Sequence, residues 1–579
     1  MQRTKSIESD LTGTLPILIE RLAQRFDAAP ALVSTEASLT YRELAACCHR
    51  YARWGLAQGL AAGDVVALVM PNCAEYLAVW LGLTRIGVTV ALVNSHLAGD
   101  QLAHSIEIVA PKLVIVGAEL SATLAAIRSR LPVALGCWVR GRSAQDFAPI
   151  EPVLERMAGE PLSPSERALP SLDRTALYIY TSGTTGLSKA AKVSHYRLMQ
   201  WSHWFAGLMD TQPEDRMYNC LPLYHSIGGV VACGSLLVAG GSVVIRPRFS
   251  ASDFWRDVAA ERCTLFQYIG ELCRYLVNAQ TQARETEHAL RLACGNGLRP
   301  EVWEKFKVRF RIPRILEYYA STEGNFSLYN CEGQPGAIGR IPPFLGDRLP
   351  VALLRIDVER EEPLRNAAGF CERCGIDEVG EAVGLIPHTE GTGGGRFEGY
   401  ADAEASTRKL LHNVFTAGDL WYRSGDLMRR DARGFYYFVD RIGDTFRWKG
   451  ENVSTTEVMG ALAAIPGVFD GVVYGVRVPV AEGRAGMAAL VVDGDFDLAA
   501  FRAQAAQRLP PFARPKFLRL LPALESTDTF KSKKRDLMRA GFNPARIRDP
   551  LYFDDPRSQA YVPLDSALYA GITAGVIRI

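Results

Sequence analysis

The stretch YIYTSGTTGLSKAAKVSH, residues 178–195, joins an apolar strand pattern to a loop rich in hydroxyl groups and glycine. Glycines let the backbone turn tightly and bring its N–H groups close to a ligand. Successive N–H groups in such a turn form a concave site for anions, to which hydroxyl groups add donors and a lysine adds charge. The pattern favours a loop that holds a polyphosphate. The predicted loop comprises Thr181, Ser182, Gly183, Thr184, Thr185, Gly186 and Lys189.

Two other interpretations of this loop have to be weighed. A Walker A loop requires glycine immediately before the lysine and serine or threonine after it. Here Ser188 precedes Lys189 and Ala190 follows it, so the Walker A pattern is not met. A solvated connector is compatible with the loop alone, because turns are rich in the same residues. The surrounding chain has to decide between a phosphate loop and a connector.

Strand and helix patterns alternate on both sides of the loop. The apolar strand patterns are at residues 65–70, 88–93, 113–116, 217–221, 243–245, 264–269, 290–294 and 315–319. Such repetition predicts an α/β fold, in which parallel-type sheets are flanked by helices. From about residue 440 the pattern changes to a small sheet with one or two helices, which predicts a second domain. The predicted domains are a large one, residues 1–439, and a small α+β one, residues 440–579.

Composition and charge exclude several classes of protein. Lysine and arginine number 65 and aspartate and glutamate 63, so the formal net charge of +2 gives no reason to expect a nucleic-acid partner. The twelve cysteines include one CxxC pair, Cys371 and Cys374, without a second pair at zinc-site spacing. The polar N-terminal sequence and the scattered cysteines predict reduced thiols and a cytoplasmic location.

Residues 226–245 contain no charged side chain and are long enough, on length alone, to span a membrane. Five glycines interrupt this run, at positions 228, 229, 234, 240 and 241. They divide it into a short helix, a turn and a strand. The sequence therefore predicts a buried segment of the α/β core rather than a membrane span.

Set beside known families, YTSGTTGLSK (180–189) resembles the phosphate-loop signature of the acyl-adenylate-forming superfamily, which includes acyl-CoA synthetases, adenylation domains and luciferases. Ser188 stands where that family usually has proline. Four further elements follow in the family's order: YYASTEG (318–324), YRSGDL (422–427), DRIGD (440–444) and TDTFK (527–531). The longer stretches 412–427 and 440–458, and the last residues 549–579, resemble the fatty-acid transport protein and very-long-chain acyl-CoA synthetase branch.

The resemblance implies an ATP site at the ends of several strands. Thr322 would contact the α-phosphate and Glu323 would hold Mg²⁺, for which a carboxylate is a suitable hard-oxygen ligand. Asp426 would accept hydrogen bonds from both ribose hydroxyls, and Arg441 would also bind the nucleotide. The residues implied for the adenine pocket are Gly295, Asn296, Gly297 and, stacked on the ring, Tyr319.

The resemblance also implies a catalytic lysine on a mobile small domain. Lys531 is the candidate, and Lys533 and Lys534 stand close enough in the sequence to compete with it. The predicted catalytic residues are Lys531, Thr322, Glu323 and His225.

A hinge is implied at Gly443, where many members of the family have a charged residue. Glycine absorbs a large change in backbone angles, so rotation of the small domain about this position is expected. The rotation would remove Lys531 and bring Lys449 and Gly450 to the site for the coenzyme A step.

The function that the resemblance implies is an AMP-forming ligase. It would activate a fatty, long-chain carboxylate as acyl-AMP with ATP and Mg²⁺, and then transfer the acyl group to coenzyme A. Three alternatives stay open: an adenylating enzyme that serves a carrier protein, a peripheral fatty-acid uptake protein coupled to acyl-CoA formation, and an inactive lipid-binding module. The expected partners are a hydrophobic carboxylate, ATP and coenzyme A, with peripheral contact to a membrane allowed and no nucleic acid.

Overall fold

The computed structural model of this chain divides into two compact units. The first comprises Met1–Arg340 and Ile386–Leu410, and the second Ile341–Leu385 and Leu411–Ile579. The structure describes residues 4, 7, 9–10, 12–142, 145–166, 171–182, 188–282, 284–346, 349–358, 360–387, 395–449, 451–479, 483–524, 534–577 and 579. The predicted domain boundary between residues 439 and 440 does not coincide with the limits of these units, and it stays a prediction.

Seven strands of the first unit form a sheet that is parallel except for its last, antiparallel pair. In sheet order the strands are Ala148–Pro149, Gly136–Arg140, Leu113–Gly117, Val65–Val69, Thr89–Leu92, Thr175–Ser182 and Ser188–Ser194. The strand interiors are buried apolar residues, as expected for a sheet covered on both faces.

Nine strands of the same unit lie side by side in a second sheet, whose six central strands are parallel. In sheet order the strands are Gly339–Arg340, Ser327–Asn330, Ile315–Ala320, Leu292–Asn296, Leu265–Ile269, Arg216–Asn219, Ser242–Ile245, Pro30–Val33 and Ser38–Thr40. The predicted α/β class with parallel-type sheets is confirmed.

Helices connect the strands of the first unit. They are Leu15–Phe26, Tyr41–Ala57, Ala74–Arg85, Gly99–Glu107, Ala118–Leu120, Ser121–Ala126, Glu151–Leu154, His195–Leu208, Ser226–Ala232, Cys233–Leu237, Phe254–Ala260, Gly270–Asn278, Pro300–Arg309 and Ala403–Thr407. The helix Ala74–Arg85 is buried at every position except Glu75, which marks it as an interior helix. Thr40 and Glu43 close both halves of a capping box, each side chain accepting a hydrogen bond from the other residue's N–H group.

The apolar run 226–245 is part of the core, as predicted. It forms the π-helix Ser226–Ala232, the helix Cys233–Leu237 and the strand Ser242–Ile245, which lies between two parallel neighbours. Among the residues that the structure describes, no helix combines the length and the apolar character that crossing a membrane requires.

The longer strands of the second unit fall into two groups. The first consists of Val351–Leu354, Gly380–Leu385, Leu420–Arg430 and Phe435–Arg441, all antiparallel. The second, in order, consists of Val468–Arg477, Arg484–Val492, Phe517–Leu521, Leu551–Asp555 and Ala560–Pro563. Two hairpins pair Ile356–Asp357 with Glu362–Pro363 and Phe446–Trp448 with Glu451–Val453. The strand Leu410–His412 spans the change from one unit to the other along the chain.

The C-terminal part of this unit has a hydrophobic core of its own, from Phe446 to Ile572. The helices of the second unit are Pro343–Leu345, Thr455–Ala463, Leu498–Arg508, Lys534–Ala540 and Ser566–Thr573. The helix Thr455–Ala463 begins where Ser454 accepts a hydrogen bond from the Glu457 N–H group. A small α+β arrangement after residue 440 is therefore confirmed.

Candidate active site

The two ends of the predicted phosphate loop lie in neighbouring antiparallel strands. Thr181 pairs with Lys189 and Ser182 with Ser188 in the antiparallel strands Thr175–Ser182 and Ser188–Ser194. The loop therefore differs in topology from a Walker A loop, in which a helix follows directly. The predicted loop residues Gly183, Thr184, Thr185 and Gly186 lie outside the described residues.

Lys189 faces a tyrosine that holds the predicted metal ligand. The Lys189 ammonium lies 5.5 Å from the centre of the Tyr400 ring, within range of a cation–π attraction. The Tyr400 hydroxyl donates a hydrogen bond of 2.9 Å to Oε1 of Glu323. Tyr400 is in place because the preceding segment pairs with the loop's second strand, where Lys192 donates to the Gly399 carbonyl. One contact chain therefore joins the phosphate loop to Glu323.

Burial and neighbouring charges shift the pKa values of Lys189 and Tyr400. The pKa of the Lys189 ammonium is lowered, first by burial and then by the nearby positive charges of Arg408 and Lys409. The pKa of Tyr400 is raised, first by burial and then by the Glu323 carboxylate. Tyr400 consequently remains a neutral hydrogen-bond donor. An anion that approaches the loop would stabilise the charged form of Lys189.

Thr322 is anchored on both its backbone and its side chain. Its hydroxyl lies 3.1 Å from the Ser226 hydroxyl, and its carbonyl accepts a 3.0 Å hydrogen bond from the Arg197 guanidinium. Arg197 is 4% exposed and also donates to the Arg396 carbonyl at 2.6 Å. A side chain so constrained keeps one orientation, which suits a residue that positions a phosphate.

Glu398 completes this anchor. It accepts hydrogen bonds from the Ser194 hydroxyl at 2.6 Å and from the Ser194 N–H group at 2.7 Å. Its carboxylate also lies 3.5 Å from the Arg197 guanidinium. Ser194 in turn caps the helix His195–Leu208 by accepting from the Arg197 N–H group. The start of that helix and the position of Thr322 are thereby fixed together.

His225 directly precedes the π-helix Ser226–Ala232. Its carbonyl accepts a 2.8 Å hydrogen bond from the Gly229 N–H group, and its ring lies 4.6 Å from the Tyr224 ring. A Cβ atom on Gly229 would lie 2.0 Å from the Leu223 carbonyl oxygen, so only glycine lets this turn approach so closely. π-Helical turns are rare and concentrate at functional sites.

The predicted adenine pocket lies at the carboxyl end of the strand Leu292–Asn296. This strand runs parallel to Ile315–Ala320, with Gly295 paired to Glu317, so both strands end at the same edge of the sheet. Open α/β sheets bind ligands at that edge. A Cβ atom on Gly295 would lie 2.2 Å from the Tyr268 carbonyl oxygen. The Tyr319 ring stacks on Phe326 with ring centres 5.7 Å apart, which fixes the plane of the tyrosine.

A buried carboxyl group supports the same edge. Glu317 accepts hydrogen bonds from the Tyr268 hydroxyl and, at 3.1 Å, from the Leu298 N–H group. Complete burial raises the pKa of Glu317 to about 8, and these donors oppose the rise without cancelling it. Glu317 is consequently protonated in the folded protein at neutral pH.

We expect Glu317 to make stability depend on pH. The folded protein holds the Glu317 proton more tightly than the unfolded chain, so this contribution is complete below about pH 4.5 and is lost as the pH rises through about 8. The melting temperature of the native protein, relative to that of Glu317→Gln, should fall across this range. Melting curves of both proteins at several pH values provide the measurement. A difference that stays constant with pH would contradict the assignment.

In the second unit, Asp426, which is predicted to bind the ribose, lies beside Arg441, which is predicted to bind the nucleotide. Asp426 and Arg441 are directly opposite each other in neighbouring antiparallel strands, and the Arg441 guanidinium lies 3.2 Å from Oδ1 of Asp426. The Ser424 hydroxyl accepts from the Asp426 N–H group at 3.0 Å. This pair presents a carboxylate and a guanidinium side by side. A carboxylate accepts hydrogen bonds from ribose hydroxyls, and a guanidinium binds phosphate, so the pair suits a nucleotide.

The predicted hinge glycine has a backbone angle φ of +88°, a conformation that residues other than glycine rarely adopt. Gly443 therefore has a backbone reason to be glycine. Lys449 lies shortly after it and donates a 2.7 Å hydrogen bond to the Ile579 carbonyl. Gly450 lies outside the described residues.

Lys531 and Lys533 also lie outside the described residues, whereas Lys534 is described. The Lys534 ammonium donates to the Thr455 hydroxyl at 2.7 Å and lies 3.6 Å from Oδ2 of Asp444. Its side chain is thus committed to contacts within the second unit. Lys534 is therefore a weaker candidate for the catalytic role than Lys531.

Sequence reasoning missed four residues that hold the site together: Arg197, Ser226, Glu398 and Tyr400. Ser194 before a helix pattern is an N-cap signal that could have drawn attention to Arg197. The stretch RFEGY, residues 396–400, has no pattern of its own. Tyr400 and Glu398 reach the site only because a distant segment pairs with the hairpin strand Ser188–Ser194.

Comparisons with known proteins agree with this geometry. The AMP-binding enzyme model matches residues 19–369, and the AMP-binding enzyme C-terminal domain model matches residues 457–531. Long-chain fatty acid transport protein 1 of Mus musculus is 40% identical over 571 residues, which cover 97% of this chain and 88% of that protein. The medium/long-chain-fatty-acid–CoA ligase FadD6 of Mycobacterium tuberculosis is 38% identical over 530 residues, or 91% of this chain and 85% of that protein.

Solved structures show the same fold at lower identity. The anthranilate CoA ligase AuaEII, in complex with anthranoyl-AMP, has a TM-score of 0.78 at 19% identity and covers 92% of this chain and 98% of its own. ATP-bound MatB of Rhodopseudomonas palustris has a TM-score of 0.75 at 23% identity, with 90% and 98% covered.

Proposed function

The chain belongs to the AMP-binding enzyme family, and from that premise we propose that it is an acyl-CoA synthetase acting on a fatty carboxylate. It uses ATP to form acyl-AMP and then transfers the acyl group to coenzyme A. The observation that carries the proposal is the match over nearly the whole chain to relatives that include a fatty-acid–CoA ligase. We further propose that the fatty carboxylate is a long-chain acid.

The two half-reactions explain why ATP is needed. A carboxylate is a poor acyl donor because its leaving group would be oxide. Attack of a carboxylate oxygen on the α-phosphorus forms a C–O–P linkage and breaks the bond to pyrophosphate. The coenzyme A thiol then attacks the acyl carbon, a C–S bond forms, and AMP leaves with the electron pair of the broken C–O bond.

The residues of the first unit supply positioning and charge for the first step. We assign Thr322 to the α-phosphate, and Lys189 with the hairpin loop to the phosphates beyond it. Two anions meet in this step, so preorganised donors and cations lower its barrier by stabilising the charge that gathers. The double anchor of Thr322 on Arg197 and Ser226 supports this role.

The residues of the second unit are assigned to the nucleotide and to both half-reactions. Asp426 and Arg441 bind the nucleotide, Lys531 serves adenylation, and Lys449 with Gly450 serves thioester formation. The two family models leave residues 370–456 between them. The proposed domain boundary at 439/440 falls in that interval, just before the hinge at Gly443.

Glu323 fits a magnesium ion that is shared with ATP. Mg²⁺ prefers oxygen ligands and is usually held by one or two carboxylates together with substrate phosphates. Within the described parts of the chain, no group of three or more His, Cys, Asp or Glu side chains could hold an ion alone. Glu323 would therefore supply a single carboxylate ligand, and bound Mg²⁺ would neutralise phosphate charge. Tyr400 orients that carboxylate.

The Tyr400→Phe variant should raise the Mg²⁺ concentration needed for half-maximal rate by about 10–100-fold, the usual loss when a ligand's hydrogen-bond partner is removed. The maximal rate at saturating Mg²⁺ should change much less. Tyr437→Phe is a matched control, because its hydroxyl donates to Asp431 at 3.2 Å. If the Tyr400→Phe protein shows normal Mg²⁺ dependence, Tyr400 does not orient the magnesium ligand.

Carboxylate-dependent exchange of pyrophosphate into ATP tests the adenylation reaction directly. We expect exchange with Mg²⁺ and a fatty acid, and release of AMP rather than ADP. A series of acids of increasing chain length, scored by AMP release and coenzyme A consumption, identifies the substrate. Adenylation without coenzyme A consumption would instead favour a carrier protein as acceptor. Release of ADP and phosphate would contradict the proposed function.

We also propose a cytoplasmic location with peripheral contact to a membrane, where a long acyl substrate would partition. Separating a cell extract by sedimentation, with and without a high-salt wash, tests this. Retention of the protein in the pellet after the salt wash would contradict peripheral attachment.

A further inference from the structure

The C-terminal part of the second unit carries a cavity of about 430 Å³ that the proposed reaction does not use. It is lined by the ends of two strands, Val468–Arg477 and Arg484–Val492, by residues 538–546, and by the helix Ser566–Thr573. Three arginines face it: Arg477, Arg484 and Arg546. None of the described residues that line this cavity, which we name the arginine pocket, is acidic.

Two of the arginines stand in an unfavourable arrangement for stability. Arg477 and Arg484 are directly opposite each other in the antiparallel pair of strands. Like charges at such positions destabilise a sheet. A strand pair that needed only to fold would gain by placing an acidic or neutral residue at either position.

Among the described residues, no acidic side chain compensates the charge of the three guanidiniums. Across the described ranges, no ion pair or side-chain hydrogen bond involves Arg477, Arg484 or Arg546. Two other arginines of this unit are paired: Arg502, on the helix Leu498–Arg508, lies 2.6 Å from Asp554, and Arg519, in the strand Phe517–Leu521, lies 2.5 Å from Asp549. The positive charge of the arginine pocket is therefore concentrated and available to an anion from outside.

Aromatic and aliphatic side chains form another part of the pocket lining, beside the polar Asn543. Phe542 stacks on Phe517 with ring centres 4.2 Å apart, and its other neighbour is the Tyr569 ring at 5.2 Å. Met538 also lines the pocket. The cavity thus combines three cations with an aromatic and aliphatic surface.

We propose that the arginine pocket binds a phosphate ester, with its phosphate groups on the three guanidiniums and an apolar or aromatic part against Tyr569 and Met538. Arginine forks match phosphate geometry, and the charge is too dense for a neutral ligand. Two sources offer this chemistry: a free nucleotide phosphate and the headgroup of an anionic phospholipid. The inference does not depend on the proposed reaction.

Binding to the full-length chain tests the proposal with two probes. One is adenosine 3′,5′-bisphosphate, and the other is a phosphatidylcholine vesicle with or without phosphatidic acid. The triple variant Arg477→Gln, Arg484→Gln and Arg546→Gln should bind the effective probe at least about tenfold more weakly. Arg539→Gln is the matched control, because that arginine is 81% exposed on the neighbouring helix and does not line the pocket.

The pattern of binding distinguishes the two sources. Loss of nucleotide binding in the triple variant supports a free phosphate ester, and loss of binding to acidic vesicles alone supports a membrane headgroup. If neither probe binds the native protein, or if the triple variant binds as tightly, the proposal is overturned. Binding that survives in the triple variant would belong to another site.

A melting experiment separates ligand binding from a structural role. Without ligand, Arg484→Gln should melt at about the same temperature as the native protein or about 1–2 °C higher, because it removes the repulsion from Arg477. With the effective probe, the native protein should gain more in melting temperature than the variant. A variant that melts lower alone and keeps the full ligand-induced gain would overturn the proposal.

Discussion

Replacement of the candidate catalytic lysine, Lys531→Ala, should slow formation of the acyl-adenylate by about 10²–10³-fold, the usual loss for one preorganised electrostatic partner. The lysine would neutralise negative charge as the carboxylate meets the α-phosphate, and it has no assigned work afterwards. Supplied with ready-made acyl-adenylate, the variant should therefore pass the acyl group to coenzyme A at nearly the native rate. Single-turnover measurements of each half-reaction provide the comparison.

The neighbouring lysines are the controls for this prediction. Lys534→Ala removes a side chain that contacts Thr455 and Asp444, so we expect a loss of stability and little change in adenylation. Lys533→Ala should leave both half-reactions unchanged. A large adenylation defect in either control would move the catalytic role from Lys531, and equal loss of both steps in Lys531→Ala would argue against alternation between domain orientations.

The opposite pattern is expected at the hinge. Gly443 has φ +88°, and a β-branched residue there costs about 1–3 kcal/mol in backbone strain. Among the described residues, an added Cβ atom would come within 4 Å only of Glu361 Oε1, at 3.5 Å, so the cost comes from the backbone and not from crowding. Gly443→Val should spare adenylation and slow thioester formation by about 10–100-fold, because it restricts the rotation between the two steps.

Gly418 provides a matched control for the hinge variant. It has φ +83°, and no atom of the described residues lies within 4 Å of an added Cβ, so Gly418→Val imposes a similar backbone strain away from the hinge. We expect it to lower stability without changing the ratio of the two half-reaction rates. If Gly443→Val also leaves that ratio unchanged, the hinge assignment is wrong.

Local patterns in the sequence were sufficient for the architecture. Apolar strands such as Leu113–Gly117 and Leu265–Ile269 lie within a residue or two of their predicted bounds, because buried parallel strands read as short apolar runs between turn signals. The glycines in residues 226–245 correctly predicted a broken, buried segment. The capping box at Thr40 and Glu43 is likewise a local feature, because it depends on residues three apart in the chain.

The sequence by itself also predicted the chemical groups of the candidate site, since Thr322, Glu323, Asp426 and Arg441 belong to short motifs that resemble those of a known family. The tertiary structure decided what holds those residues. Arg197 binds the Thr322 carbonyl from 125 positions away, and the Tyr400 hydroxyl reaches Glu323 from 77 positions away. Such contacts leave no periodicity or spacing in the chain, because they depend on how strands from distant segments pair. The like-charged pair Arg477 and Arg484 is likewise visible only in the strand register, because the pairing of the strands decides which residues lie opposite each other.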